Sequence, residues 1–348
     1  MIILGIETSC DDTAVAVLNE KGKILSNVLS SQDEFHRDFG GIVPEIASRK
    51  HAELIGYVIK EALNLSNKTL KDIDIVSVTY GPGLVGSLLV GVEAAKAISF
   101  SLDVPLIGVN HLEGHIYSLF LENSPLCQIN NPFPLLILIV SGGHTELVLM
   151  KKHLSYQLIG KTRDDAAGEA LDKFARALGY SYPGGPAIER LGRKGDSHFY
   201  RFPRLNFKGS PYEFSYSGLK TAGIYYLNQH KNEIERHIGD IAASFEEALT
   251  DILVQRTLRA AKDFNVKAIG VVGGVSANKR LREKFAKKSV MDVYFPGPNL
   301  SMDNAAMIAM AGAMRYKAGQ INDLCLDVVS RLKPVSYTHL RAHETPEH

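Results

Sequence analysis

The strongest constraint on this chain is an order of segments that occurs twice. Near the N-terminus the apolar, β-branched run Ile2–Glu7 breaks at Thr8-Ser9-Cys10-Asp11-Asp12 and resumes over residues 13–18, which reads as strand, polar turn, strand. Ile24–Ser30 can add a third strand, residues 44–63 a long helix, and residues 74–80 a buried strand that runs into the turn Gly81-Pro82-Gly83 and a second helix. Leu135–Val140 opens the same series again. It breaks at Ser141-Gly142-Gly143-His144, resumes over residues 145–150, and is followed far downstream by Ala268–Val272, Gly273-Gly274 and a helix beginning near Ser276. Such a repeat predicts an α/β fold, duplicated and two-lobed, with a cleft between the lobes. The 348 residues are enough for two lobes and too many for one compact core. The expected division is residues 1–125, then 130–334 carrying the nucleotide site, with an Asn- and Pro-rich linker over residues 123–134.

Facing polar or glycine turns across a cleft suit a phosphate, because their backbone N–H groups converge on an anion without needing positive side chains. That matters here, since 39 basic and 38 acidic residues leave a formal charge of +1. A chain so balanced cannot hold nucleic acid by bulk charge and needs a local patch. The candidate patch is Arg190, Arg193, Lys194, Arg201, Arg204 and Lys208, with Tyr200 and Phe202 interleaved; a merely solvated surface is the competing reading. Three cysteines without metal spacing, Cys10, Cys127 and Cys325, imply neither a disulfide framework nor a zinc ribbon, and a reducing compartment. No basic leader and no run approaching eighteen apolar residues is evident, so the expectation is a cytoplasmic protein without membrane contact. Residues 335–348 lack hydrophobic periodicity, carry three of the 12 histidines, and read as a non-native tail, with a native His-rich metal-binding tail as the alternative.

His111-Leu-Glu-Gly-His115 follows an apolar strand over residues 104–109 and opens an apolar run. Histidines at i and i+4 share a helical face and can ligate one metal, although such a pair can also be a surface accident. In the protease helix H-E-x-x-H the glutamate directly follows the first histidine. Glu113 comes one residue later, about 200° around the helix from His111, and should point away from any ion, which removes the base a peptidase needs. A third ligand must come from elsewhere. Asp303, just before the small-residue helix AAMIAMAGAMRY, can supply it or can simply cap that helix. Two imidazoles and one carboxylate leave coordination positions open, which suits iron or zinc acting as a Lewis acid.

Taken together, GIETSCDDTAVAVL, FGGIVPEIASRKH, GPGLVGSLLVG, HLEGH, VSGGHTEL, DDAAGEALDK, YPGGP, FSYSGLKT, VVGGVSANKRLR and MDNAAMIA resemble, in order, the blocks of the bacterial tRNA N6-adenosine threonylcarbamoyltransferase (TsaD) family, over about residues 2–333. The resemblance implies an actin-like, sugar-kinase-like (ASKHA) fold. It also implies transfer of a threonylcarbamoyl group from threonylcarbamoyl-adenylate to N6 of the adenosine 3′ of the anticodon in tRNAs reading ANN codons, with release of AMP. Members were formerly labelled O-sialoglycoprotein endopeptidases, a label that the position of Glu113 argues against.

By position, His111, His115 and Asp303 match the family's metal ligands, with Fe(II) first and Zn(II) as the alternative. Val140, Ser141, Gly142, Gly143 and His144 match the loop that holds the adenylate, Asp172 and Gly185 the ribose site, and Asn278 an adenylate-binding amide. Glu189 stands where the family commonly has aspartate, so its reach is one methylene longer. Plainer readings exist: Asp172 as an i,i+4 partner of Arg176, Gly185 as a turn glycine, Asn278 as a helix-entry residue. No general base is evident, His144 being only a candidate, and Asp11, Asp12 and Lys220 lie in family blocks without an assignable role. The resemblance further implies a TsaB-like paralogous partner and a TsaE-like small ATPase. A metalloprotease, a small-molecule kinase of the same fold and a non-catalytic scaffold are the competing functions; the scaffold should lack the histidine pair.

Overall fold

In β1 (Ile2–Glu7) every residue after Ile2 is buried, as expected of a central strand covered on both faces. The computed structural model describes residues 1–32, 35–36, 41–122, 124–204, 211–297 and 299–332. Asn123, Lys208 and the tail 335–348 lie outside them. β1 pairs antiparallel with β2 (Thr13–Asn19), which pairs with β3 (Ile24–Ser30), and parallel with β4 (Ile75–Gly81), which pairs with β5 (Leu106–Asn110). The second sheet repeats this plan. β6 (Leu135–Val140) pairs antiparallel with β7 (Thr145–Lys152) and parallel with β9 (Ala268–Val272); β8 (Ser155–Lys161) and β10 (Asp292–Tyr294) form the edges. The strand orders β3-β2-β1-β4-β5 and β8-β7-β6-β9-β10 therefore correspond one to one.

The helices make three apolar layers. α1 (Pro44–Leu65) and α2 (Val85–Leu102) cover the outer face of the first sheet. α2 is, by length and composition, apolar enough to cross a membrane, with mean hydropathy 1.5 over 18 residues, contrary to the expectation that no run comes close. Only a third of it is buried, and Glu93 and Lys96 pair on its surface. Helices α4 (Ala167–Ala177), α5 (Gly184–Gly192), α6 (Ser217–Gln229), α7 (Ile234–Asp263, broken at His237) and α8 (Lys279–Lys288) belong to the second lobe, most of them around a core that includes Phe174, Phe245 and Phe285.

Between the sheets sit the short α3 (His111–Tyr117) and α9 (Ala305–Lys317), in a core shared by Ile3, Ile107, Ile137, Val148 and Met307. α9 packs closely on β1: a Cβ at Gly5 would lie 2.8 Å from Ala309 Cβ. The chain beyond it stays with the first sheet, where Gly108 N donates to Asn322 Oδ1 (2.8 Å) and Val329 N to Tyr80 O (2.8 Å). The last part of residues 130–334 thus returns to the first lobe, and this return carries Asp303 to the junction.

Candidate active site and metal centre

β5 ends at Asn110, whose side chain accepts from Leu112 N (2.8 Å) and Glu113 N (3.4 Å) and so starts α3 at His111. His111 and His115, one turn apart and both buried, have ring centroids 4.8 Å apart. Asp303 Oδ1 lies 3.5 Å from His111 Nε2 and 3.1 Å from His115 Nε2, and the three potential ligand atoms fall within 4.8 Å of one another. The contact to His115 lacks hydrogen-bond geometry; both nitrogens of this fully buried ring have no hydrogen-bond partner among the described residues. Two imidazoles and a carboxylate converging on orphaned nitrogens fit an iron or zinc ion better than they fit one another. Asp303 does not cap α9: the next residue does, with Asn304 Oδ1 accepting from Met307 N at 3.0 Å. The capping alternative for Asp303 is thereby corrected.

A further carboxylate stands behind the trio. Glu7, 1% exposed at the end of β1, accepts from Thr79 Oγ1 (2.6 Å) and Ser9 N (2.6 Å) and lies 3.0 Å from His111 Nδ1. Burial opposes charge on His111, but Asp303 and Glu7 outweigh it and hold its pKa up at about 9. Burial likewise pushes Asp303 up, yet His111 and His115 hold it well below the usual carboxylate range. The buried Glu7 and the half-buried Asp303 around two imidazoles make a site suited to a dication. Sequence reading missed Glu7, although a charged residue closing a buried apolar strand was a signal.

Glu113 faces elsewhere, as its spacing predicts. Its Oε1 accepts from Tyr156 Oη (2.9 Å) and its Oε2 from Arg315 Nε (2.7 Å), with the residue 2% exposed.

The loop Ser141–His144 closes on itself, Ser141 N donating to His144 O (2.9 Å) and His144 N to Ser141 Oγ (3.2 Å). A Cβ on Gly142 or Gly143 would meet nothing within 4 Å, so the side-chain direction of each opens on free space. A Cβ on Gly168 at the start of α4 would press on Ser141 O at 2.7 Å. Gly273, at φ +90°, sits against Val140. The strand-end loop, the N-terminus of α4 and the glycine turn after β9 thus meet. Burial, with His111 and His115 near, pushes His144 down to about 4 and leaves it neutral.

Asp172 on α4 accepts from Gly184 N at 2.7 Å, holding the N-terminus of α5 instead of sitting on a solvated face; burial raises its pKa. Gly185 is the next residue, and Glu189 lies one turn further along α5. Burial and then Glu246 raise the pKa of Glu189, while the backbone of Lys279 lowers it. Asn278 is 7% exposed: its Oδ1 caps α8 through Leu281 N (2.9 Å) and its Nδ2 donates to Glu246 Oε1 (2.6 Å). The helix expected near Ser276 therefore begins at Lys279, after a 3-10 turn over Gly274–Ala277. Asn278 is a helix-entry residue, and the bond to Glu246 uses one of its two amide hydrogens.

The basic stretch is divided. Arg190, Arg193, Lys194 and Arg201 are exposed. Phe202 is core, packed with Phe174 and Phe245, and Arg204 is tied to Asp251 at 2.8 Å. Lys220 pairs with Asp165 at 2.6 Å. The β1–β2 turn bearing Asp11 and Asp12 is held by His51, whose Nε2 donates to Cys10 O (3.0 Å) and whose Nδ1 accepts from Thr13 Oγ1 (2.7 Å). The three cysteines are unpaired with one another.

The family model described as tRNA N6-adenosine threonylcarbamoyltransferase (TsaD) matches residues 23–310. A protein of that name from Symbiobacterium thermophilum is 50% identical over 334 residues, 95% of this chain and 96% of the relative. One from Bacillus cereus is 52% identical over 331 residues, 94% of each. Among solved structures, component A of the Acidaminococcus fermentans (R)-2-hydroxyglutaryl-CoA dehydratase aligns with TM-score 0.55 at 16% identity, over 91% of this chain and 98% of its own. HypF of T. kodakarensis aligns with TM-score 0.58 at 15% identity, over 92% and 48%. These two likenesses speak for the duplicated actin-like, sugar-kinase-like fold alone. With the family model spanning most of the sequence and about half the residues shared with full-length relatives, the chain belongs to the tRNA N6-adenosine threonylcarbamoyltransferase family.

Proposed function

We propose that this protein transfers the threonylcarbamoyl group of threonylcarbamoyl-adenylate to N6 of the adenosine 3′ of the anticodon in tRNAs reading ANN codons, releasing AMP. N6 attacks the carbamoyl carbon and loses a proton as the C–N bond forms; the bond from that carbon to the phosphate oxygen breaks. The leaving group is good and the aromatic amine a poor nucleophile, so the protein must chiefly orient two large substrates and stabilise charge on the carbonyl oxygen. His111, His115 and Asp303 would hold Fe(II) or Zn(II), which supplies Lewis-acid charge when bound. The exposed Gly142 and Gly143, in the loop from Val140 to His144, would receive the adenylate phosphate. Asp172 and Glu189 would accept from its ribose hydroxyls beside Gly185, and the remaining Asn278 hydrogen would reach the nucleotide.

The observation that carries this reading is the convergence of the trio while Glu113 is sealed against Tyr156 and Arg315. A peptidase needs a carboxylate base at the ion, and the one in this motif is spent elsewhere. Exposed Arg190, Arg193, Lys194 and Arg201 support a contact to tRNA phosphates. Exposed Tyr57 on α1 and Val85, Leu89 and Phe100 on α2 support a protein partner such as a TsaB-like paralogue. A TsaE-like ATPase and a cytoplasmic site of action belong to the same reading through the family resemblance alone. The test supplies threonylcarbamoyl-adenylate and unmodified tRNA, then analyses digested nucleosides by mass spectrometry. N6-threonylcarbamoyladenosine with equimolar AMP is expected; ADP formation on a small acceptor, or neither product in the presence of the partners, would contradict it.

A further inference from the structure

We infer that Glu7 is the positioning residue of the metal site: it holds the His111 ring in the one tautomer and orientation that turns Nε2 toward Asp303 and His115. This rests on the reading of His111, His115 and Asp303 as a metal site, and concerns a residue 104 positions away in the chain.

The argument is one of donors and acceptors. A carboxylate can only accept, so the 3.0 Å contact between Glu7 Oε2 and His111 Nδ1 requires the proton on Nδ1. With Nδ1 keeping its proton, the lone pair available to a metal is the one on Nε2, the nitrogen that faces Asp303 at 3.5 Å. Glu7 is itself fixed: Thr79 Oγ1 donates to Oε2 and Ser9 N to Oε1, both at 2.6 Å, so residues of β4 and the β1–β2 turn clamp it. A buried carboxylate behind a ligating imidazole is a common means of orienting the ring and raising its basicity. The arrangement is one-sided. His115 has no partner for Nδ1 among the described residues and is held by packing on α3, leaving His111 as the ring oriented by hydrogen bonding.

The isosteric change Glu7→Gln should reverse the tautomer. Ser9 N–H demands an oxygen at the Oε1 position, which places the new amide nitrogen where Oε2 was, donating toward His111 Nδ1. The ring would then have to protonate Nε2 and lose its ligating lone pair. Ser9 Oγ also lies 3.1 Å from His111 Nδ1 and is the rival acceptor.

The experiment measures Zn(II) affinity of the metal-free full-length protein by competition with a chromophoric chelator, with circular dichroism to confirm folding. Wild type should bind one Zn(II), Glu7→Gln should bind roughly ten- to hundredfold more weakly, and Ser9→Ala should stay within about threefold of wild type. Wild-type affinity in folded Glu7→Gln, or a larger loss in Ser9→Ala than in Glu7→Gln, overturns the inference. Failure of wild type to bind stoichiometric zinc overturns the metal-site reading instead. A second readout needs no variant: 15N NMR of the zinc-loaded wild type should show His111 bound through Nε2 with Nδ1 protonated. A His111 ring bound through Nδ1 overturns the role of Glu7 even if Glu7→Gln does not fold.

Discussion

Glu113 and Arg315 join the two helices that carry the metal-site residues to the lobe junction: Glu113 Oε2 accepts from Arg315 Nε at 2.7 Å, linking α3 to α9 across 202 positions. The motif's glutamate is thus a structural clamp, and the same geometry that disqualifies it as a peptidase base sets where α3 lies relative to Asp303.

Removing one side of this pair should therefore cost stability. Glu113→Ala strands Arg315 and leaves Tyr156 without its acceptor, so unfolding free energy should fall by about 3 kcal/mol. Arg315→Met added to it should recover part of that loss, because a stranded cation is then no longer buried. Urea denaturation of the cycle measures both, and a Glu113→Ala loss below about 0.5 kcal/mol would remove the clamp from the account.

Asp172 combines a helix-anchoring bond with the proposed ribose contact, and two substitutions separate them. Asp172→Asn retains an oxygen for Gly184 N but loses the charge, whereas Asp172→Ala loses both. Both should weaken AMP binding about tenfold or more by calorimetry. Only Asp172→Ala should also lose about 1 kcal/mol of stability. Unchanged AMP affinity in the two folded variants would place the ribose elsewhere.

The cluster joining α7 to α8 should shape the acid limb of stability. Burial pushes Asp251 up, but Lys284, Arg204 and Lys288 together hold it down at about 2, against about 3.8 for the free side chain. A carboxyl with a depressed folded pKa stabilises the fold above its unfolded value and loses that contribution as pH falls through the folded one. Roughly 2 kcal/mol should therefore be present above about pH 4 and be lost between about pH 4 and 2. Urea midpoints measured against pH should show this fall in wild type and a flatter curve, from lower stability at pH 7, in Asp251→Asn.

For tRNA, the exposed residues are the informative ones. Arg193→Ala with Lys194→Ala should weaken tRNA binding in the assembled complex and reduce the salt slope by about two, leaving AMP affinity alone. Arg204→Ala, which breaks the tie to Asp251, should instead lower the melting temperature. Filter binding at several salt concentrations decides, and a wild-type slope for the double variant would exclude this stretch.

What could be read beforehand follows from how local each signal was. β1, β2, β6 and β9 are apolar runs ended by polar or glycine turns, so their order exposed the duplication. The pair His111 and His115 rests on helical spacing within five residues. By contrast, α9 is apolar on nearly every face, which says that it is buried but not against which sheet. Asp303 and Asn304 are adjacent polar residues at a helix start, and sequence offers no way to choose which caps. Phe202 looked like an aromatic within a basic surface because it alone turns inward, between exposed Arg201 and Pro203. Glu7 needed a contact 104 positions away to acquire a role.

The central claim is that His111, His115 and Asp303 form one metal site that serves transfer. The most direct test measures metal content and N6-threonylcarbamoyladenosine formation side by side in wild type and His115→Ala, with supplied threonylcarbamoyl-adenylate. His115 is fully buried and hydrogen-bonds to nothing through its ring among the described residues, so its loss should remove the ion more than the fold. The account predicts stoichiometric iron or zinc and modified tRNA from wild type, and neither from a His115→Ala protein with wild-type circular dichroism. Undiminished transfer by metal-free His115→Ala, or metal-dependent glycoprotein cleavage by wild type at enzymatic rates, would contradict it.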